Sequence, residues 1–426
     1  VTEQILLWMI LLLCVSVFIH GFFKLSRLVQ FPFLTAAAFL AYLFPQLYAA
    51  VYHQQFPEAA VAKTLLMTIL CLLAAFLGYT TNRKPATLGY SWRFNYRRLI
   101  YGCILLTLVG AYFFYKVSVL APTFDDGRLW SGPITIYVFF GQLLIVGVVL
   151  ALILHISRPS WITLSISLLG LLFYLHRGIM VGRRTALAEF FLMAGLAAYL
   201  KYRWVPPRIL VFIILVSGAL WINAIGDYRS ELTQNERLSA PILSIDYIGN
   251  MKQAFTNAPD INNAVYAIDA VDRDFSLNFG LGLYDAIIFR YVPGQLIGYD
   301  VKKGLQSQFE LDYDLSYNFH TGTTSTGMGW AFQTFWYFGV LWFFIIGLLM
   351  SRWFLAATRG GIVAAMILIL TYYQSLVAFS FGPAGFFLRL IFLCFSLFPV
   401  LLFAKLPGNA IQRFPRAPEI AGSQKV

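Results

Sequence analysis

Apolar residues in this chain fall in runs of roughly 18–23, broken by short charged stretches, which is the length a helix needs to cross the hydrocarbon of a bilayer. Lipid offers the backbone no hydrogen-bond partners, so only helices and closed barrels can span it. A barrel would show roughly ten-residue segments of alternating polarity, and these runs do not alternate. Charged residues make up 12% of the chain and mean hydropathy is +0.72. That charge fraction is about half of what a soluble protein carries. The expected class is an all-α polytopic integral membrane protein.

The runs predict about eleven transmembrane helices, at 4–23, 30–52, 62–80, 99–118, 134–156, 160–176, 185–200, 208–226, 329–350, 361–379 and 386–404. The opening "VTEQILLWMILLLCVSVFIHGFF" has no basic leader and no small-residue cleavage site, so it reads as a retained helix. Cys14, Cys71, Cys103 and Cys394 all lie inside apolar runs, which suits neither a disulfide framework nor a metal site.

Alternate connections are basic: Lys24/Arg27, Arg83 to Arg98, Arg158, Lys201/Arg203/Arg208, Arg352/Arg359, and a tail with Lys405, Arg413, Arg416 and Lys425. Basic loops stay in the cytoplasm, so the N-terminus is expected in the periplasm and the C-terminus in the cytoplasm. The net charge of +12 would otherwise suggest nucleic acid. Its distribution does not: residues 227–328 hold seven Lys/Arg against thirteen Asp/Glu, and the remainder 24 against six. The excess lies beside the spans, where it orients them, and no nucleic-acid partner is expected. Four regions follow: membrane helices over 1–226, a large outer loop of short helices over 227–328, three further spans over 329–404, and a solvated tail over 405–426. Within the loop, "YDAIIFRYVPG" is apolar enough to lie on the bilayer surface.

One outer connection breaks the charge bias. "HRGIMVGRRTALAEFF" places Arg177, Arg183 and Arg184 between two spans. Charge there needs water, headgroups or an anionic partner. Three readings remain open: snorkelling to headgroups, an ion pair with Glu189 (the one acid found in any predicted span), or a site for a phosphate-bearing lipid. Arginine suits phosphate because its planar fork gives two parallel, charge-assisted bonds. Arg290, in "FRYVPG", is either a surface arginine stacked on aromatics or a cation held rigidly by Pro293–Gly294. Arg389 lies one turn inside the last span. It pairs with Glu189 or shares an anionic ligand with Arg183 or Arg184. His320, in "NFHTGTTSTGMGW", is either solvated or a general base among hydroxyls and glycines. Asp312 and Asp314 are the rival bases. Walker A, GxSxG, HExxH and Cys/His metal spacings are missing from the sequence, so a transferase here would need a donor such as a lipid-linked pyrophosphate.

Four pieces, in this order and on this side of the membrane, resemble the Wzy-type polysaccharide repeat-unit polymerases, which include the O-antigen and enterobacterial common antigen polymerases. They are "VGRRTAL", a glycine–arginine turn opening a span; "FRYVPG", an aromatic and proline stretch of the large loop; "NFHTGTTSTGMGWAFQTFWYFGVLWF", small residues leading into an aromatic-glycine helix; and "GFFLRLIF", an arginine at the outer end of a late span. The resemblance implies a GT-C-like glycosyltransferase of the bacterial inner membrane. It implies transfer of a growing glycan from undecaprenyl pyrophosphate to a new lipid-linked repeat unit on the periplasmic face, giving a surface polysaccharide such as lipopolysaccharide O-antigen. Arg183 or Arg184, Arg290 and Arg389 would hold pyrophosphate, and His320, or else Asp312 or Asp314, would be the base. No metal or other cofactor would be required. The partners would be the undecaprenyl-pyrophosphate-linked donor and acceptor, membrane lipid, and a chain-length regulator. Two other readings stand beside it: an O-antigen ligase using the same donor, and a lipid-linked oligosaccharide flippase or other transporter. A flippase would line its path with charges in many spans, which this sequence does not.

Overall fold

The computed structural model describes residues 1–53, 56–81, 84–87, 92–120, 123–125, 129–131, 133–179, 184–234, 245–307, 324 and 326–407. It is helical apart from a small antiparallel hairpin pairing Thr123–Asp125 with Leu129–Ser131. In chain order the helices are α1 (Thr2–Phe22), α2 (Phe31–Tyr52), α3 (Glu58–Thr81), α4 (Tyr96–Val119), α5 (Pro133–Gly141), α6 (Leu143–Ser157), α7 (Trp161–Ile179), α8 (Arg184–Tyr202) and α9 (Arg208–Gln234). Then follow α10 (Tyr247–Ala254), α11 (Pro259–Asp274), α12 (Leu281–Tyr291), α13 (Gly294–Ile297) and α14 (Tyr299–Leu305). The last are α15 (Thr326–Phe335), α16 (Leu341–Thr358), α17 (Ile362–Phe381) and α18 (Ala384–Ala404).

Among the described residues, eight helical stretches are long and apolar enough to cross a membrane. The remaining predicted spans, at 160–176, 185–200 and 208–226, are occupied by α7, α8 and α9. Large apolar side chains face outward along these rods, for example Leu12 at 71% exposure and Leu108 at 65%, as lipid-facing surfaces require. Within the bundle, threonines satisfy their hydroxyls against their own helix: Thr64 donates to the Ala60 carbonyl at 2.8 Å and Thr68 to the Thr64 carbonyl at 2.7 Å.

Close packing comes from small residues. Lipid tails are as apolar as leucine, so helices associate by backbone approach and van der Waals contact. α3 and α16 run side by side in the same direction. A Cβ at Gly78 would collide with the Phe344 carbonyl, and one at Gly347 with the Ala75 carbonyl.

Some expectations change. The span predicted at 329–350 starts at Thr326 and reaches Thr358, and a 3-10 segment at Trp336–Val340 interrupts it. Trp336 has φ +52, a left-handed conformation that L-residues disfavour, and Gly339 lies against the Ala331 carbonyl where no Cβ would fit. The span at 134–156 is likewise divided, at Gln142, into α5 and α6. The span predicted at 208–226 belongs to α9, which continues to Gln234. Acids are found in two further spanning helices, Glu3 and Glu58, each in a first turn.

The basic connections gather at one end of the bundle. Arg203 donates to the Thr358 carbonyl, and Arg208 to that of Phe23 at 2.7 Å. The Ala86 amide donates to the Arg352 carbonyl at 3.0 Å, and Tyr96 Oη to that of Arg158 at 2.6 Å. At the same end, Phe94 and Lys405 form an isolated antiparallel bridge. The Asn95 amide donates to Ala404 and the Leu406 amide to Arg93, both at 2.8 Å. Asn95 also caps α4, its Oδ1 accepting from the Arg97 and Arg98 amides.

Candidate functional site: an arginine cluster at the opposite end

Away from the basic loops, α18 opens after Gly382–Pro383 and carries Arg389 on its second turn, 7% exposed. Its Nη2 donates to Glu189 Oε1 on α8 at 3.1 Å. This is a single-pronged contact. The other terminal nitrogen, Nη1, is buried and finds no partner among the described residues. The pairing of Arg389 with Glu189 is one of the alternatives the sequence left open, and it leaves half the guanidinium fork unused.

Two more arginines converge on this pair. Arg177, in the last turn of α7, lies 5.4 Å from the Phe114 ring centroid and 5.6 Å from that of Phe173. Its charge acts on Glu189. Arg290, in the last turn of α12, donates from Nη2 to Gln142 Oε1 at 2.6 Å, at the break between α5 and α6. Burial pushes the Arg290 guanidinium below its ordinary range, and the nearby positive Arg389 pushes it further. Neighbouring Tyr291 donates its hydroxyl to the Leu388 carbonyl, which ties α12 to α18. Arg389 and Arg177 therefore both act on the Glu189 carboxylate, and Arg290 lies within electrostatic reach of Arg389.

Beside Arg290 lies a cavity of about 210 Å³, walled by Phe139, Phe140, Phe289 and Leu296 and edged by Arg290 and Lys302. Lys302 donates to the Phe289 carbonyl at 2.8 Å, and burial lowers its ammonium pKa. Gln295 Nε2 donates to Thr135 Oγ1 at 3.1 Å, holding α13 against α5. The cavity thus has apolar walls and a cationic rim, a form suited to an amphiphile with an anionic head.

The structure brings Arg290 and Arg389 together. Arg184 is the first residue of α8, five positions before Glu189 and so about 7.5 Å away along the helix axis. The side chain of Arg184 lies outside the described residues, as does the whole of Arg183. His320, Asp312 and Asp314 also lie outside the described residues.

Thr324, four positions after His320, is anchored by several hydrogen bonds. Thr324 donates its amide to Asp260 Oδ1 at 2.8 Å and its hydroxyl to the Ser380 carbonyl at 2.5 Å. Its carbonyl accepts from Asn263 Nδ2 at 3.0 Å. Asp260 is 5% exposed and also accepts from Tyr42 Oη at 2.6 Å and Gln46 Nε2 at 3.4 Å. Sequence reasoning missed this anchor. The signal was Tyr42 and Gln46, one helical turn apart in an apolar run. It also missed Gln142. No family model, curated protein or solved structure matches this chain.

Proposed function

We propose that this chain is a membrane glycosyltransferase that polymerises undecaprenyl-pyrophosphate-linked repeat units into a surface polysaccharide, at the periplasmic face of a bacterial inner membrane. The observation that carries the reading is the surplus of cation at the arginine cluster: among the described residues Arg389 Nη1 is buried without a hydrogen-bond partner, near Arg290 and the Glu189 carboxylate. A buried arginine nitrogen facing nothing is costly unless an anion completes it. Pyrophosphate has the matching chemistry, since its oxygens accept parallel bonds from a guanidinium fork.

In this reading Arg290, Arg389 and the Arg183–Arg184 turn hold the donor pyrophosphate. Their fixed charges stabilise the negative charge that grows on it as the bond from the anomeric carbon to the phosphate oxygen breaks. The acceptor hydroxyl forms the new glycosidic bond and gives its proton to a base, His320 or else Asp312 or Asp314. Asp260 and Asn263 would fix the end of the segment bearing those groups, through Thr324.

The test is to incubate purified protein with a defined undecaprenyl-pyrophosphate repeat unit and resolve the products by gel. A ladder of lengthening glycans, with undecaprenyl pyrophosphate released, is expected. Products no longer than the substrate would sink the proposal.

A further inference from the structure

The cavity of about 210 Å³ beside Arg290 holds a second cation that the pyrophosphate reading does not use. Lys302, on α14, lines it together with Arg290. Arg290 bonds the neutral Gln142. Lys302 bonds the Phe289 carbonyl, with its Nζ 4.9 Å from the Phe289 ring centroid. Among the described residues no acid lines the cavity, and neither cation forms an ion pair. The acids closest in sequence are engaged elsewhere: Asp285 accepts from the Ser307 amide at 2.7 Å, and Asp300 is exposed. Two cations on one cavity without a counter-charge call for an anion.

The walls say what that anion is attached to. On the α5 side the lining runs from Thr135 to Phe140, about 7.5 Å at helical rise. These residues open the span Ile134–Ser157, at the end away from Arg158 and the other basic loops. A headgroup layer meets hydrocarbon at such a level. The rim is also exposed on a surface that lipid covers. Leu296 is 80% exposed, and Phe140, on the spanning stretch, is 37% exposed. The Tyr291 ring, also in the lining, lies 6.2 Å from that of Phe395, which is exposed on spanning α18. Free phosphate would leave the aromatic walls against water. A hydrocarbon chain alone would leave both cations without a counter-charge. An amphiphile with an anionic head meets both demands.

We propose that this cavity binds an anionic phospholipid of the surrounding bilayer, with its phosphate at Lys302 and Arg290 and an acyl chain against Phe139, Phe140 and Leu296. Lys302 meets phosphate as a compact point charge, and Arg290 meets it through its planar fork. This site does not rest on the glycosyltransferase reading. Arg290 stands in both, and Lys302 in this one alone, so variants of Lys302 test it by itself.

Native mass spectrometry of the full chain, delipidated in detergent and titrated with single lipids, tests the proposal. Palmitoyl-oleoyl phosphatidylglycerol should give a tight adduct. The diacylglycerol with the same chains should bind about 10- to 100-fold more weakly, the scale of a charge-assisted bond or two. Lys302→Gln should weaken the phosphatidylglycerol adduct by about 10-fold or more, and Lys302→Arg should retain it. Lys303→Gln, one position along, exposed and outside the lining, should bind like wild type. Ile136→Trp, which fills the cavity from α5, should abolish the adduct. Equal binding of diacylglycerol, or an adduct untouched by both Lys302→Gln and Ile136→Trp, would overturn the proposal. So would displacement of phosphatidylglycerol by millimolar inorganic phosphate, which would make this a site for the free anion.

Discussion

Arg389 is buried and Glu189 nearly so, and each depends on the other for its charge to be tolerated. Removing one partner of such a pair costs about 3–5 kcal/mol, whereas replacing both with apolar residues is often neutral. Glu189→Leu and Arg389→Leu should therefore each reduce the amount of protein in the membrane, and the double variant should restore it. If Arg389 also binds pyrophosphate, the restored double variant still makes no polymer. Quantitative blotting beside a glycan ladder separates the two roles, and a double variant that polymerises removes Arg389 from the site. Arg290 bonds a neutral partner, so Arg290→Lys should insert normally and lose roughly 10²–10³ in turnover, the scale of one charge-stabilising contact. His320→Ala should insert normally and lose roughly 10²–10⁴. Near-normal turnover in that variant, with none in Asp312→Asn or Asp314→Asn, would transfer the base to an acid.

At the scale of elements, the α3–α16 seam and the Trp336–Val340 break make opposite demands on sequence. The seam needs backbone contact, so Gly78→Ala and Gly347→Ala should each cost about 1–3 kcal/mol by overpacking. Gly195→Ala on α8 has no atom within 4 Å of its added methyl and should cost nothing. Thermal melts in detergent compare the three, and a Gly195 variant as unstable as the seam variants would contradict the account. The seam also shows where sequence reading stops. Hydropathy located the eight long apolar stretches because lipid imposes their length. It did not reveal the break, since "FWYFGV" is apolar throughout and contains no proline. Arg290 and Arg389 stood out as cations at odds with their surroundings. Gln142 did not, because its partner lies 148 positions away and only the tertiary fold brings them together. Asp260 did not stand out among the many acids of the outer loop, although α11 buries it.

For the whole molecule, contacts among the basic loops place them together at one end, and the arginine cluster lies away from that end. The proposed orientation puts the first in the cytoplasm, following the charge bias. In a Cys394→Ala background, where the remaining cysteines are buried, Gly304→Cys should react with a membrane-impermeant maleimide in intact cells, and Arg97→Cys only after permeabilisation. The reverse pattern would place the arginine cluster in the cytoplasm and end the proposed chemistry. The bridge between Phe94 and Lys405 joins positions more than three hundred residues apart. At roughly 5–20 residues per second, the ribosome delivers the second strand on the order of a quarter-minute to a minute after the first. Throughout that interval the approach to α4 waits without its partner, and only the residue that follows α18 completes it. A chain stopped after Leu401 therefore lacks the second strand and leaves the bundle unlatched for a membrane protease to find.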